Sequence, residues 1–279
     1  MTATIRATLH CPCEGRFLEE AVVYDAPPLD ETRFDLRGQP YRRAYDRCTL
    51  CGHWFARHDL DLSELYSSEY VNATYGGPDG MARRLREILA LPPERSDNAG
   101  RVARIMRFAA GHFAPSHVPT LLDIGAGVGV FPHAIKQAGW ICTALDPDPQ
   151  AARHLAEAVG VRAVIGDFLS VDACEMGRFD VITLNKVIEH VEDPVAMLAK
   201  AASLLMPGGF VYVEVPDIAA AFDGLEREEY FIEHHHVFSP TSLTQCGERA
   251  GLSLLTVERL REPSGKYTLA AFFARDPAS

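Results

Sequence analysis

Downstream of residue 120, short apolar runs alternate with stretches in which apolar positions recur every three to four residues. The runs at 120–124, 141–145, 162–165, 181–184 and 210–215 read as strands. The periodic stretches near 130–138, 150–158, 194–205 and 241–250 read as helices. Alternation of this kind predicts βαβ units, hence an α/β chain with a doubly wound parallel sheet. The rhythm changes at the end, where 253–259 and 266–274 read as two strands joined by Glu262-Pro263-Ser264-Gly265, a hairpin closing the sheet. Upstream, 81–91 reads as a helix stopped by Pro92-Pro93, and 98–113 as a second helix with Val102, Ile105, Met106 and Ala109 on one stripe. Residues 1–65 follow neither rhythm; they hold short strand-like pieces rich in arginine and cysteine.

The 279 residues correspond to about two domains at ~150 residues each. Hydrophobic residues make up 47% and charged residues 23%, which excludes disorder as the main state. The net charge of −11 argues against nucleic acid as a partner, since such binders carry a basic face. The longest apolar stretch, 201–213, is broken by Pro207-Gly208-Gly209 and is too short to span a bilayer, so no membrane partner is expected. The first residues lack an apolar leader, and the expected location is cytoplasmic. Seven cysteines, an odd count, argue against a disulfide framework.

The sharpest motif is Leu121-Leu122-Asp123-Ile124-Gly125-Ala126-Gly127-Val128-Gly129, which follows a predicted strand and opens a helix. Glycines there permit a tight turn and close approach of a ligand. A dinucleotide fingerprint needs its third glycine at position 130, which is Val130, so NAD is disfavoured. Asp146 ends the next strand, where a carboxylate can accept from both ribose hydroxyls, and Asp167 ends the one after, where it can accept from an exocyclic amine. No lysine completes a Walker motif.

The 123–129 loop, Leu145-Asp146-Pro147, Gly166-Asp167-Phe168, Phe179-Asp180-Val181-Ile182 and Leu205-Met206-Pro207-Gly208-Gly209 together resemble the class I S-adenosylmethionine (SAM)-dependent methyltransferases, in that family's order and across residues 98–279. The resemblance implies a Rossmann-like seven-stranded sheet whose last strand is antiparallel. It implies that Asp123, Gly125, Gly127 and Gly129 pass the methionine and ribose part of SAM, and that Asp146, followed by Pro147, holds the ribose hydroxyls. Asp167 and Phe168 would meet the adenine. Asn185 and Lys186 would begin the loop beside the transferring methyl, with S-adenosylhomocysteine (SAH) as product.

Cys48-Thr49-Leu50-Cys51-Gly52 places two thiols on one tight turn relieved by a glycine, half of a zinc knuckle. Cys11-Pro12-Cys13 would be the other half; its one-residue gap is short, and His10 is an alternative ligand. The expectation is a structural zinc ion in a zinc-ribbon-like module over 1–65, against the plainer reading of four buried cysteines. With Tyr66-Ser67-Ser68-Glu69-Tyr70 and Tyr75 following, the segment resembles a methyltransferase subgroup that carries an N-terminal zinc ribbon and acts on nucleotide-linked deoxysugars at carbon 3. That likeness implies that 66–97 covers the cofactor site, with Tyr70 and Tyr75 lining it; interdomain packing is the other reading of the two tyrosines.

The acceptor would meet the segment 227–239, between the fifth strand and the next helix. Methyl transfer from a sulfonium is an in-line displacement, and an oxygen or carbon acceptor must lose a proton, a task for a histidine oriented by a carboxylate. The subgroup carries Tyr-x-Glu-His here. This chain has Phe231-Ile232-Glu233-His234 and then Phe238-Ser239, so the tyrosine is missing, with Tyr230 one position away. The subgroup also continues into a further domain, whereas this sequence stops at Ser279. Glu233 and His234 are the expected base, and His190 in Ile188-Glu189-His190-Val191 competes for that role. The expected acceptor is a small molecule, a sugar or nucleotide-linked sugar, with O- and C-methylation both open. The rivals are an O-methyltransferase acting on a quinone, phenol or polyketide, and a non-catalytic protein that binds SAM and zinc.

Overall fold

The structure, a computed structural model, describes residues 5–6, 17–33, 36, 38–58, 60 and 77–275. Its centre is strand β5 (Thr120–Ile124), buried from Leu121 to Ile124. A strand covered on both faces reads as a continuous apolar run, which is why this one is plain in the sequence. β6 (Ile141–Asp146) and β7 (Arg162–Ile165) pair in parallel on one side of it, and β8 (Phe179–Asn185) and β9 (Leu205–Pro216) on the other.

The terminal pair, β11 (Leu252–Arg261) and β12 (Tyr267–Arg275), is the expected hairpin. β12 lies antiparallel between β9 and β11, so the sheet runs β11-β12-β9-β8-β5-β6-β7 with only β12 reversed. This is the expected α/β fold, Rossmann-like and seven-stranded with an antiparallel last strand.

Helices α1 (Gly77–Leu89), α2 (Asp97–His112), α3 (Val130–Gln137), α4 (Pro149–His154), α5 (Ala173–Met176), α6 (Pro194–Ser203) and α7 (Pro240–Arg249) flank the sheet. Ile105 and Ala109 of α2 and Phe131 and Ile135 of α3 form one core layer; Leu198 and Ala201 of α6 and Leu243 and Cys246 of α7 form the other. None of the described helices is long and apolar enough to cross a membrane.

Two boundaries differ from the periodicity for local reasons. The helix expected over 150–158 passes at Leu155 into a π-helical turn, Leu155–Val159. That turn presses Leu155 and Val159 against Gly129, where an added Cβ would lie 2.8 Å from Leu155 Cδ2 and 2.6 Å from Val159 Cγ2. The strand expected over 210–215 begins at Leu205, and Pro207-Gly208-Gly209 forms an irregularity within it, between the pairings of Phe179 and Val181. A Cβ on Gly209 would meet the Asp180 carbonyl oxygen at 2.5 Å, so only glycine lets β9 approach β8 there.

The N-terminal part builds a second, antiparallel sheet from β1 (Ile5–Arg6), β2 (Leu18–Tyr24), β3 (Arg43–Cys48) and β4 (Trp54–His58). Its fifth strand comes from far along the chain: β10 (His236–Val237) pairs with β4, His236 opposite Phe55 and Val237 opposite Trp54. Tyr45, Trp54, Tyr230 and Val237 form the core beneath it. The segment 227–239 is therefore part of both halves.

Candidate active site

The ends of β5, β6 and β7 bring three acids to the carboxyl edge of the parallel sheet. Asp123 is buried on β5, and its Oδ1 accepts from Thr183 Oγ1 at 2.7 Å and from Asn185 Nδ2 at 2.8 Å. These bonds tie β5 to β8. Burial pushes the Asp123 carboxyl up to about 7, opposed by the Thr183 bond, the charge of Arg101 and the Asn185 bond. Asn185 Oδ1 is buried without a hydrogen-bond partner among the described residues.

The loop glycines 125, 127 and 129 all take positive φ. The Gly127 amide donates to Asp146 Oδ2 at 2.8 Å, and the Asp148 amide donates to Asp146 Oδ1 at 3.0 Å. The acid at the end of β6 thus fixes the loop at the end of β5. Burial raises the Asp146 carboxyl, against the pull of those two amides. Pro147 is exposed in the turn that follows. Asp167 is exposed after β7 and holds its own turn, accepting from the Leu169 amide at 3.2 Å and from Ser170 Oγ at 2.6 Å. Phe168 departs from expectation. Its ring lies in the core with Lys200 Nζ 5.4 Å from its centroid, so only its backbone is left for a ligand at this edge.

Lys186 begins the loop after β8. It alone among the described non-glycine residues has positive φ, 61°, at the turn that ends β8. Its Nζ donates to Thr268 Oγ1 on β12 at 2.6 Å, away from the glycine loop. Burial pushes its ammonium down, opposed by Glu214 and Glu189. Glu214, fully buried on β9, accepts from Arg101 Nε at 2.8 Å, Arg104 Nη1 at 3.3 Å and the Tyr212 hydroxyl at 2.5 Å. A backbone outlier next to a buried charge network is where strain gathers at functional sites.

The acceptor side is built by two segments stitched together. One is the turn Ile188–His190 after β8; the other is 229–236. The His235 amide donates to the Glu189 carbonyl at 2.8 Å, and His190 Nδ1 bonds the Glu233 carbonyl at 2.9 Å. His234 Nδ1 bonds the Glu229 carbonyl at 3.0 Å. A carbonyl only accepts, so in both rings Nδ1 carries the proton and Nε2 keeps its lone pair. The two rings lie 4.8 Å apart between centroids. Burial pushes His190 below its ordinary value, and His234 well below it.

The expected dyad is rearranged. A backbone carbonyl orients His234, and the charge of Glu233 acts on His190 instead. Tyr230 does not replace the missing tyrosine: it is buried against Tyr45 and Trp54, and its hydroxyl donates to the Ile218 carbonyl at 3.1 Å. The three consecutive histidines face three ways. His234 meets His190, His235 stacks on His58, and His236 bonds His53.

The N-terminal sheet holds this segment in place. The Tyr45 hydroxyl donates to the His234 carbonyl at 2.7 Å, the Ala56 amide to the His235 carbonyl at 2.9 Å, and the Ile232 amide to Glu31 Oε1 at 2.7 Å. Glu31 is itself held by Arg43 at 2.9 Å, both side chains being buried. Tyr45, Glu31 and Glu189 escaped the sequence reading. The Glu189-His190 pair was visible as letters, but the burial that gives Glu189 its character was not.

Cys48 and Cys51 sit buried on the turn between β3 and β4, closed by the Gly52 amide donating to the Cys48 carbonyl at 2.9 Å. Burial pushes the Cys51 thiol up to about 11. Two adjoining thiols on one turn fit half of a tetrahedral zinc site. Cys11, Cys13, Tyr70 and Tyr75 lie outside the described residues.

A model of the family described as "Methyltransferase domain" matches residues 81–257. A ubiquinone biosynthesis O-methyltransferase of Actinobacillus pleuropneumoniae serotype 5b (strain L20) is 32% identical over 164 residues, covering 56% of this chain and 64% of that protein. The chain thus aligns with under two thirds of that relative. A protein of the same description from Shewanella halifaxensis (strain HAW-EB4) is 24% identical over 210 residues, covering 70% of this chain and 84% of that one. In fold, the chain is similar to magnesium protoporphyrin IX methyltransferase from Synechocystis PCC 6803, with TM-score 0.55 and 15% identity over 77% of this chain and all of that one. The glycine loop, the strand-end acids and a family match over more than half of its length agree: the chain belongs to the methyltransferase-domain family.

Proposed function

We propose that this chain is a SAM-dependent methyltransferase that methylates a hydroxyl oxygen of a small phenol- or quinol-type acceptor. The edge formed by residues 125–129, Asp146 and Asp167 would hold SAM. The turn after β8 and the segment 229–236 would hold the acceptor. Lone-pair Nε2 atoms on His190 and His234 would take the acceptor proton as the methyl passes in line from sulfur to oxygen and SAH leaves.

The observation that carries the acceptor class is the setting of the two imidazoles. They are partly buried and each is tied through Nδ1 to a backbone carbonyl, with no carboxylate among the described residues orienting it, which makes a weak base. Burial holds both imidazoles below their ordinary basicity, His234 well below. A phenolic hydroxyl, with a pKa of about 10, is within practical reach of such a base; a sugar hydroxyl is a far weaker acid. Relatives named ubiquinone biosynthesis O-methyltransferase support the same class. They lend no support to the sugar acceptor, which rests on the Glu233-His234 motif.

Within this reading, residues 98–279 carry the transfer, and 66–97 cover the cofactor. Residues 1–65 brace the acceptor segment, with Cys48 and Cys51, together with Cys11 and Cys13, holding a structural zinc ion.

The test is a turnover screen with SAM against matched panels of catechols and hydroquinones and of nucleotide sugars, read by mass spectrometry. A methyl added to a phenolic oxygen is expected. A methyl added to a sugar would overturn the acceptor class, and bound SAM with no transfer to either panel would overturn the activity.

A further inference from the structure

We propose that Glu189, His190 and His234 form a binding site for one divalent transition-metal ion at the carboxyl end of β8. One ligand atom from each of the three lies within 4.8 Å of the others. Glu189 is fully buried, and neither of its carboxylate oxygens has a hydrogen-bond partner among the described residues. A buried carboxylate left in that state is costly unless a cation compensates it. The charge of Lys186 acts on Glu189, but that ammonium donates to Thr268 and is shared electrostatically with Glu214.

The two imidazoles carry the pattern expected of metal ligands. In each ring Nδ1–H is spent on a backbone carbonyl, Glu233 for His190 and Glu229 for His234, which fixes the tautomer and orients the Nε2 lone pair. Neutral imidazole nitrogens beside a carboxylate suit zinc, cobalt, iron or manganese; magnesium and calcium prefer all-oxygen sites. The site is assembled across the two halves. Glu189 and His190 come from the turn after β8, and His234 from the segment that Tyr45 and β4 hold. The second sheet thereby completes the ligand set.

Three protein ligands leave coordination positions open. The Nε2 lone pairs that bind the ion are those that would take the acceptor proton, so in the methyltransferase reading a metal-loaded site replaces the imidazole base. The acceptor hydroxyl would meet the ion at an open position and lose its proton to water. That role rests on the proposed activity. The metal site does not, because it is read without turnover.

The experiment is a Co2+ titration of the metal-stripped full chain followed by visible absorption. One equivalent should bind with ligand-field bands and no thiolate-to-metal band. Cobalt held by Cys48 and Cys51 would show the thiolate band and is counted separately. Glu189→Gln and His234→Gln should each weaken the thiolate-free equivalent by more than about tenfold, a loss typical even of a support residue, and leave any thiolate-bound cobalt in place. Circular dichroism and metal-free melting should show both variants folded, Glu189→Gln at least as stable as the parent because it removes a buried charge. Absence of a thiolate-free equivalent in the unaltered chain, or its persistence at full affinity in both variants, overturns the site. A chain that methylates phenols yet binds no such cobalt loses the site and keeps the activity; one that binds cobalt without methylating anything does the reverse.

Discussion

The two sides of the site are held in opposite ways. On the cofactor side the restraints are mostly short in sequence and stay within the parallel sheet, the longest being those of Thr183 and Asn185 on Asp123. Gly127 and Asp148 pin Asp146, and Leu169 and Ser170 pin Asp167. On the acceptor side they are long. Tyr45 and Ala56 of the N-terminal sheet, with Glu31 of the loop between β2 and β3, hold the segment that carries His234. The cofactor side can therefore form once the parallel strands β5 to β8 pair. The acceptor side exists only when the second sheet is folded and docked. This difference makes the N-terminal sheet a clamp, and it predicts which substitutions cross from one side to the other.

Removing the clamp's buried charge gives the largest effect. Glu31→Ala leaves Arg43 buried without its partner and strips an acceptor from the Ile232 amide. Breaking a buried pair from one side costs about 4 kcal/mol. Thermal unfolding should show that loss, and SAM affinity of the folded fraction should be unchanged. A drop in SAM affinity would erase the distinction between the sides.

Gly129→Ala strikes the cofactor side instead. Its φ of 76° and the contacts waiting at 2.6 and 2.8 Å combine backbone strain with overpacking, about 3 kcal/mol in all. The melting temperature should fall by about 10 °C, and SAM binding should weaken along with it. A variant that melts like the parent would show that the π-helical turn yields freely.

Tyr45→Phe is milder. It removes the hydroxyl bonded to the His234 carbonyl, worth about 1 kcal/mol. It should lower kcat about fivefold and leave the Kd for SAM alone, and equal effects on both would count against a clamp.

The subtlest change is in pH dependence. Burial raises the folded-state pKa of Asp123 to about 7, against about 3.9 in an unfolded chain. Between these values the folded state binds the extra proton, so this group's contribution to stability is full at low pH and lost as pH rises through 7. Asp123→Asn keeps an oxygen for Thr183 and Asn185 to donate to, and should melt progressively higher than the parent as the pH is raised from 5 to 8. Parallel melting curves across that range would contradict the raised carboxyl.

The same difference decides what the sequence discloses. Strand β5 and the loop after it could be placed because burial on both faces writes itself as Leu121-Leu122 and Ile124, and the turn as glycines. The acids at strand ends were legible for the same local reason. For Phe168 and Lys186, position beside a motif does not say where a side chain turns, here into the core and toward Thr268. β10 was invisible: two residues, His236 and Val237, have no periodicity of their own and become a strand only by pairing with Phe55 and Trp54. The separation of Glu233 from His234 was hidden likewise, since neighbours in an irregular segment point wherever their distant partners draw them.

The cofactor and acceptor sides are separable. The most direct test measures SAM affinity by calorimetry and kcat on a phenolic acceptor side by side for Asp146→Ala and His234→Gln. Asp146→Ala should raise the Kd for SAM about 100-fold, since two hydrogen bonds to a buried carboxylate are lost at roughly 3 kcal/mol together. His234→Gln should bind SAM like the parent and lose kcat by about 100-fold or more. An unchanged Kd in the first variant, or full turnover in the second, would contradict that separation.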